Sequence, residues 1–118
     1  MTFDACDVVV VPFPFTDRST SKRRPALVLS DREAFSEAVG QSVLAMITSA
    51  QNAPWPLDVP LEDLEAAGLP APSKVRMKLF TLDDQLILRK AGRLAARDER
   101  NVRTALARLL RLSAPHPS

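Results

Sequence analysis

The sequence predicts an α+β fold in which a small antiparallel β-barrel packs against a C-terminal helix and short connecting helices. Short β-branched and apolar runs recur at close spacing over the first three quarters of the chain, as is typical of antiparallel strands. Near the C-terminus, apolar residues at helical spacing form one stripe. The 118 residues, 46% of them hydrophobic, suffice to bury one core. We therefore expect residues 1–112 to form a single domain and residues 113–118 to form a flexible tail.

The predicted strands follow one another with short connections. Residues 8–13 are apolar almost without alternation, which favours a strand buried on both faces. In residues 75–82, Val75, Met77 and Leu79 alternate with charged or aromatic residues, so we expect these three on the buried face of a strand. Further strands are predicted at 26–29 and 42–48 and from 86 onward, with an edge strand or extended arm at 53–60.

Three helical segments are predicted. Residues 31–38 predict a helical turn that ends at Gly40, and residues 61–67 predict a short helix closed by Gly68, because glycine readily adopts the left-handed cap. In the terminal helix, Asp98 lies in the first turn, where negative charge suits the helix dipole. The apolar stripe of that helix consists of Val102, Ala105, Leu106, Leu109 and Leu110.

Composition excludes several classes of protein. A single cysteine, Cys6, rules out an intramolecular disulfide framework and fits a reducing compartment. No apolar stretch is long enough to span a bilayer, and the N-terminus lacks the pattern of a signal peptide, so we expect a cytoplasmic protein without membrane contact. The only histidine, His116, lies in the predicted tail, which excludes a fixed imidazole base. The sequence has no His/Cys metal motif and no Gly-rich phosphate loop, so no metal and no cofactor are expected.

The connection between the first two predicted strands is strongly basic. Residues 17–24 contain four cations against one acid. Arg24 precedes Pro25, which favours an extended backbone, and its guanidinium can hold a phosphate through two parallel hydrogen bonds. Composition alone leaves two interpretations open, a phosphate-binding loop and an ordinary solvated turn. A second basic region, residues 89–111, has eight cations and two acids and is compatible with an anionic partner.

Six short motifs together resemble one protein family, the MazF/PemK-like toxins, which are the ribonuclease half of type II toxin–antitoxin pairs. Their order and spacing extend over nearly the whole chain. One departure is Cys6, where the family usually has a glycine, and it concerns the local backbone and not the chemistry. The motifs are DVV at 7–9, PFPF at 12–15, RPALVLS at 24–30, AMITS at 45–49, SKVR at 73–76 and RKAGRL at 89–94.

The resemblance implies an SH3-like barrel and metal-independent, sequence-specific cleavage of single-stranded RNA. In that reaction the 2′-hydroxyl attacks the adjacent phosphate and leaves a cyclic 2′,3′-phosphate and a 5′-hydroxyl. Arg24 and Thr48 match the two catalytic positions of the family, and a preplaced cation stabilises the charge of the transition state. Without the resemblance, Thr48 would be interpreted as an ordinary β-branched residue at the end of a strand. A cognate antitoxin and a second copy in a homodimer are the implied partners.

The expected RNA contacts surround this pair. Basic side chains next to Arg24 would follow the RNA backbone, and polar side chains after Thr48 would contact base edges. Trp55 has two interpretations, a ring that stacks on a base and a hydrophobic anchor. Asp83 and Asp84 are expected to face water. The predicted RNA-binding residues are Arg18, Lys22, Arg23, Ser49, Gln51, Asn52, Lys74 and Arg76.

Two other functional classes remain open at this point. A non-catalytic nucleic-acid-binding barrel would retain RNA without cleaving it, and an inactive relative serving as a protein-interaction module would do neither. Incubation with a long RNA in the presence of a metal chelator distinguishes all three hypotheses.

Overall fold

A computed structural model describes residues 2–13 and 22–112 of the chain. In these residues, six antiparallel strands form one curled sheet, a half-barrel, with a C-terminal helix and short helices. The predicted α+β class and barrel-like sheet are confirmed. No helix in this part of the chain is long and apolar enough to cross a membrane. The predictions for Arg18, His116 and the 113–118 tail lie outside the described residues.

The sheet has the strand order β4-β5-β3-β2-β1-β6, and every neighbouring pair is antiparallel. Of the predicted edge strand or extended arm at 53–60, only Val59–Pro60 forms a strand, β4, which pairs with β5 at the edge of the sheet. The last strand begins later than predicted, because Asp83 accepts the Gln85 N–H and caps a 3₁₀ turn at Asp84–Leu86. The strands are β1 (Asp7–Phe13), β2 (Lys22–Val28), β3 (Gln41–Ser49), β4 (Val59–Pro60), β5 (Ser73–Asp83) and β6 (Arg89–Arg93).

Both faces of the sheet are covered by apolar side chains. Val8 belongs to one core cluster and Val9 to another, because successive side chains of a strand point to opposite faces. The first cluster includes Val102 and Ala105 of the C-terminal helix, and the second includes Phe3 before β1. The prediction that the apolar run of β1 is buried on both faces is therefore confirmed for Val8, Val9 and Val11, whereas Phe13 at its end is exposed.

The second strand begins earlier than predicted. β2 starts at Lys22, so Lys22, Arg23 and Arg24 lie on a strand and not in the predicted loop. The first four residues of β2 pair with β1 but not with β3, since the β2–β3 ladder begins at Ala26. Pro25, which lacks an N–H donor, is compatible with such a one-sided position.

A register shift interrupts the predicted pattern of β5. Val75 and Met77 are buried as predicted, but Leu79 is 36% exposed, so its predicted burial is wrong. Met46 of β3 pairs with Arg76, whereas the preceding Ala45 pairs with Leu79, which leaves two extra residues on β5. Two extra residues keep the alternation of faces, and the predicted burial ends at this bulge.

The short helices agree with the predicted caps. A π-helical turn at Arg32–Ser36 leads into α1 (Glu37–Val39), and α1 ends at Gly40 with φ of +72°. The helix α2 (Leu64–Ala67) starts later than predicted, because the Asp63 side chain caps it by accepting the Ala66 N–H. It ends at Gly68, as expected.

The C-terminal helix α3 (Ala96–Leu110) buries only part of its apolar stripe. Val102 and Ala105 are buried, whereas Leu109 and Leu110 are exposed. Asp98 is fully buried and accepts the N–H groups of Glu62 and Asp63 at 2.9 and 3.0 Å. It therefore connects α3 to the start of α2, a role that its position in the first turn did not predict.

Asp84 is a second buried carboxylate. It accepts a hydrogen bond from the Ser42 hydroxyl at 2.6 Å, so the prediction that it faces water is wrong. Asp83 is exposed, as expected. Asp83 caps the 3₁₀ turn from its start, whereas Asp84 lies within the turn, where its N–H donates to the Gly40 carbonyl at 3.0 Å.

Gly40 and Gly68 provide a matched test of packing, because both have φ of +72°. A Cβ atom on Gly68 would lie 2.0 Å from the Ala91 carbonyl oxygen, whereas one on Gly40 would have no heavy atom within 4 Å. We expect Gly40→Ala to cost about 1 kcal/mol for its left-handed backbone. Gly68→Ala should cost about 1–3 kcal/mol more, because α2 must move away from β6. Urea unfolding measures both losses, and equal values would contradict this close approach.

Candidate functional site

A cavity of about 350 Å³ opens beside the sheet and is lined by four strands and the residues after β3. Its polar lining consists of Arg24, Thr48, Asn52, Arg76 and Lys78, and its apolar lining consists of Phe13, Met46, Ile47, Leu79 and Phe80. Cations and hydrogen-bonding groups thus converge in a largely apolar cavity. Such a site suits an anionic ligand that also has apolar parts.

Arg24 and Thr48, which the resemblance assigns to one site, line this same cavity. Their strands are antiparallel, and the β2–β3 ladder ends on this side at the pair Ala26 and Met46. Arg24 and Thr48 each lie two residues beyond that pair, so they belong to the same face of the sheet. Arg24 is exposed and has no ion-pair partner in the described part of the chain.

The Thr48 hydroxyl accepts a hydrogen bond from the side-chain amide of Asn52. The backbone of Asn52 is held in turn, since its N–H donates to the Ser49 carbonyl at 3.1 Å and its carbonyl accepts from Lys74 Nζ at 2.7 Å. A hydroxyl that accepts one hydrogen bond still has its own proton to donate. Thr48 can therefore direct that proton into the cavity.

The Asp58 carboxylate fastens the segment 52–58 to β5. Arg76 donates to it from Nε at 3.2 Å and from Nη2 at 3.1 Å, and Lys74 Nζ lies 3.2 Å from it. Arg76 Nη2 also donates to the Ala53 carbonyl at 2.7 Å. All three charged side chains are between 9% and 17% exposed. Two cations of β5 thus hold both ends of the segment.

The charge of Asp58 is maintained by these partners. Burial alone would raise the pKa of Asp58, but hydrogen bonds from Arg76 and Lys74 outweigh it and lower the pKa below the ordinary value of 3.8. Lys74 and Arg76, predicted as RNA contacts, therefore already have partners within the protein. Their contact with RNA stays a prediction, and in this structure they shape the segment that carries Asn52.

Four other predicted RNA contacts do not line the cavity. Lys22 and Arg23 are exposed on β2, Ser49 is exposed at the end of β3, and Gln51 is exposed after β3. The Ser49 hydroxyl accepts the Gln51 N–H at 3.2 Å. These positions are accessible to a long ligand that extends beyond the cavity, and their contact with RNA stays a prediction.

Sequence reasoning missed Lys78 as a cavity residue. Lys74, Arg76 and Lys78 alternate along β5, and this period of two was a usable signal that they share a face. Leu79 was missed for a different reason, because the alternation of β5 predicted it on the buried face, whereas it is 36% exposed and lines the cavity.

The departure from the family at Cys6 has a structural counterpart. Cys6 has φ of +74°, a left-handed conformation that glycine adopts more readily. Its thiol is buried and donates to a Glu99 carboxylate oxygen at 3.2 Å. Burial, together with this carboxylate, raises the pKa of Cys6 to about 12, so the thiol is protonated at neutral pH and is a poor nucleophile.

Residues 2–13 and 22–112 contain no group of three or more His, Cys, Asp or Glu side chains that could hold a metal ion.

A family model described as the PemK-like, MazF-like toxin of type II toxin–antitoxin systems matches residues 4–110. The chain belongs to this family. Sheet, cavity and C-terminal helix of this PemK/MazF-like toxin all lie within the matched residues. None of the curated proteins compared with the chain matches it significantly.

Solved structures of MazF proteins share the fold of this PemK/MazF-like toxin. MazF (Form-I) from Deinococcus radiodurans is 26% identical with a TM-score of 0.71, and the alignment covers 93% of this chain and 97% of that chain. A chain of the MazE–MazF complex (Form-III) from the same organism is 25% identical with a TM-score of 0.75, and the alignment covers 96% of this chain and 100% of that chain. A third structure is a mycobacterial endoribonuclease in complex with its cognate antitoxin, which is 18% identical with a TM-score of 0.74. The alignment covers 97% of this chain and 98% of that chain, and at this identity the likeness shows the fold alone.

We expect Asp58→Asn to lower the free energy of unfolding by about 3 kcal/mol at neutral pH, because it leaves the buried Lys74 and Arg76 without a counter-charge. Urea unfolding followed by circular dichroism measures the loss. Glu62→Gln is the matched control, because its ion pair with Arg97 is exposed and such pairs contribute less than about 1 kcal/mol.

The lowered pKa of Asp58 also determines the pH dependence of this difference. The ionised carboxylate is favoured in the folded state, so its contribution is present above the ordinary pKa of 3.8 and is lost as the pH falls through the lowered value. The stability difference between wild type and Asp58→Asn should be constant above about pH 3.8, the ordinary pKa, and should shrink as the pH falls below it. A difference that persists in strong acid would contradict this role of the carboxylate.

Proposed function

We propose that the chain is the toxin of a type II toxin–antitoxin pair and acts as a metal-independent, sequence-specific endoribonuclease on single-stranded RNA. The proposal is carried by one observation, that Arg24 and Thr48 line one cavity in a member of the PemK/MazF-like family. The mycobacterial structure of the same fold is itself an endoribonuclease. The proposed products are a cyclic 2′,3′-phosphate and a 5′-hydroxyl.

In the proposed reaction the ribose 2′-oxygen forms a bond to phosphorus while the bond from phosphorus to the 5′-oxygen breaks. The 2′-hydroxyl loses its proton and the departing 5′-oxygen gains one. Negative charge collects on the phosphoryl oxygens in between, and the guanidinium of Arg24 is suited to stabilise it through two hydrogen bonds. The hydroxyl proton of Thr48, directed by Asn52, supplies a further hydrogen bond to the same phosphate.

The cations of the cavity differ in their availability for RNA. Asp58 neutralises Arg76, whereas Arg24 and Lys78 have no carboxylate partner among the described side chains. Phosphate binding is therefore assigned to Arg24 first and to Lys78 for a neighbouring phosphate. Exposed cations such as Lys22 and Arg23 would extend the path of the RNA backbone, with affinity that falls as salt increases.

The proposed partners are a cognate antitoxin and a second copy of the chain. MazE–MazF complexes are among the structures of the same fold. An acidic, flexible antitoxin segment would complement the cations at the start of β2 and exclude RNA from the cavity. Leu109 and Leu110, exposed at the end of α3, offer apolar surface to a protein partner. The proposed substrate places the toxin's action in the cytoplasm.

We expect Arg24→Ala and Thr48→Ala each to lower the rate of RNA cleavage by roughly a hundredfold or more, because each removes a group aimed at the phosphate. The assay incubates a long RNA with purified protein and a metal chelator, and mass spectrometry identifies the product ends. Arg100→Ala is the matched control, since Arg100 is an exposed arginine of α3 that does not line the cavity and loses the same charge.

Normal circular dichroism with an unchanged rate in either variant would remove that residue from the site. Wild-type protein that binds RNA without cleaving it would instead be a nucleic-acid-binding barrel, and one that does neither would be a protein-interaction module.

We expect Asn52→Ala to lower kcat roughly tenfold, because the Thr48 hydroxyl loses the donor that orients it. In a Thr48→Ala background the same substitution should have no further effect, since the oriented group is absent. Asn101→Ala is the matched control on an exposed asparagine of α3 that does not line the cavity. Independent, additive effects would contradict the coupling and would support the direct RNA contact that the sequence predicts for Asn52.

A further inference from the structure

Trp55 is the only tryptophan of the chain, and it lies in the middle of the segment 52–58. The residue is 43% exposed, so it is not the buried hydrophobic anchor that the sequence left open. Pro54 and Pro56 restrict the backbone on both sides of it. Its N–H donates to the Asp58 carboxylate at 3.0 Å and its carbonyl accepts the Asp58 N–H at 3.1 Å. An exposed indole is thus presented on a fastened backbone.

Two cations that line the cavity also lie beside this indole. The guanidinium carbon of Arg76 is 5.4 Å from the ring centroid, and Lys78 Nζ is 5.9 Å from it. Both distances are within the range of cation–π attraction. The ring and the cationic side of the cavity therefore form one continuous surface.

We propose that Trp55 is the stacking platform for an unpaired nucleobase next to the phosphate held at Arg24 and Thr48. The inference rests on the proposed function, because it assumes an RNA substrate in the cavity. Proteins that bind single strands combine cations that follow the phosphates with exposed aromatic rings on which bases stack. Every base has an aromatic face, so Trp55 adds affinity and fixes the position of the strand, whereas hydrogen bonds elsewhere select the base.

The test uses the full-length protein and a short single-stranded RNA in which every 2′-oxygen is methylated, so that it binds but lacks the attacking hydroxyl. Anisotropy of a fluorescein-labelled strand gives Kd, and unlabelled RNA is used to follow tryptophan emission, which comes from Trp55 alone. We expect bound RNA to quench this emission. Trp55→Leu should weaken binding about tenfold and Trp55→Phe should restore most of the affinity.

Abasic substitution identifies the stacked base. When bases are removed one at a time, loss of one particular base should weaken RNA binding by the wild type by the same factor of about ten. Loss of that base should not change the affinity of Trp55→Leu for RNA. Leu88→Ala is the control, because Leu88 is another exposed apolar residue that does not line the cavity. It should change neither Kd nor emission.

The salt dependence of RNA affinity distinguishes base stacking on Trp55 from a role of the Trp55 ring in positioning Arg76 and Lys78. Loss of a stacked base lowers affinity by the same factor at every salt concentration. Lys78→Ala should instead reduce the slope of log Kd against log salt by about one, because it removes one phosphate contact. A reduced slope in Trp55→Leu would overturn the proposal and assign the ring to positioning Lys78 and Arg76.

Other outcomes also overturn the platform. One is an unchanged Kd in Trp55→Leu, and another is unquenched tryptophan emission at saturating RNA. A third is a shifted monomer–dimer equilibrium in Trp55→Leu with unchanged RNA affinity, which would assign the ring to a protein contact. Cleavage of a long RNA by wild type is measured in parallel. If cleavage persists while stacking fails, the proposed function stands alone, whereas absence of both cleavage and RNA binding overturns both.

Discussion

The geometry of the site depends on the Asp58 carboxylate. It is shared by Lys74 and Arg76, and each of these cations also holds a backbone carbonyl at the start of the segment 52–58. Through Lys74 the carboxylate positions the residue that hydrogen-bonds the Thr48 hydroxyl. Through Arg76 it sets the place of the Trp55 ring. One buried ion cluster thus holds together the Thr48 hydroxyl, on β3, and the Trp55 ring, on the segment 52–58.

The same carboxylate also governs the charge of the cavity. Three cationic side chains line it, but the charge of Arg76 is compensated by Asp58 and the ring of Trp55 lies near two of the three. Arg24 is left exposed and without a counter-ion among the described residues. Among the described residues, an anion entering the cavity therefore meets the Arg24 guanidinium and the Lys78 ammonium at defined places and not a diffuse positive patch, which favours binding by geometry over binding by net charge.

Local patterns predicted what depends on neighbours in sequence, and missed what depends on distant partners. The β-branched run of β1 and the apolar stripe of α3 are local patterns, so the predictions of this strand and this helix were correct. The bulge of β5 was not predictable, because it arises from its register with β3. The burial of Asp98 had no local signal, since its partners lie 35 and 36 residues away. Arg24 and Thr48 were singled out by family resemblance, because composition alone left two interpretations open for Arg24 and gave Thr48 an ordinary structural one.

The pairing of β1 with β6 has a consequence for how the protein is made. The first and last strands of the sheet are neighbours, although their sequences are separated by almost the whole chain. During synthesis β1 cannot acquire both neighbours until residues 89–93 have left the ribosome, and contacts of this range form slowly. A message with a premature stop codon before the codon for Arg89 encodes a chain in which β1 keeps one unpaired edge, which is a template for aggregation.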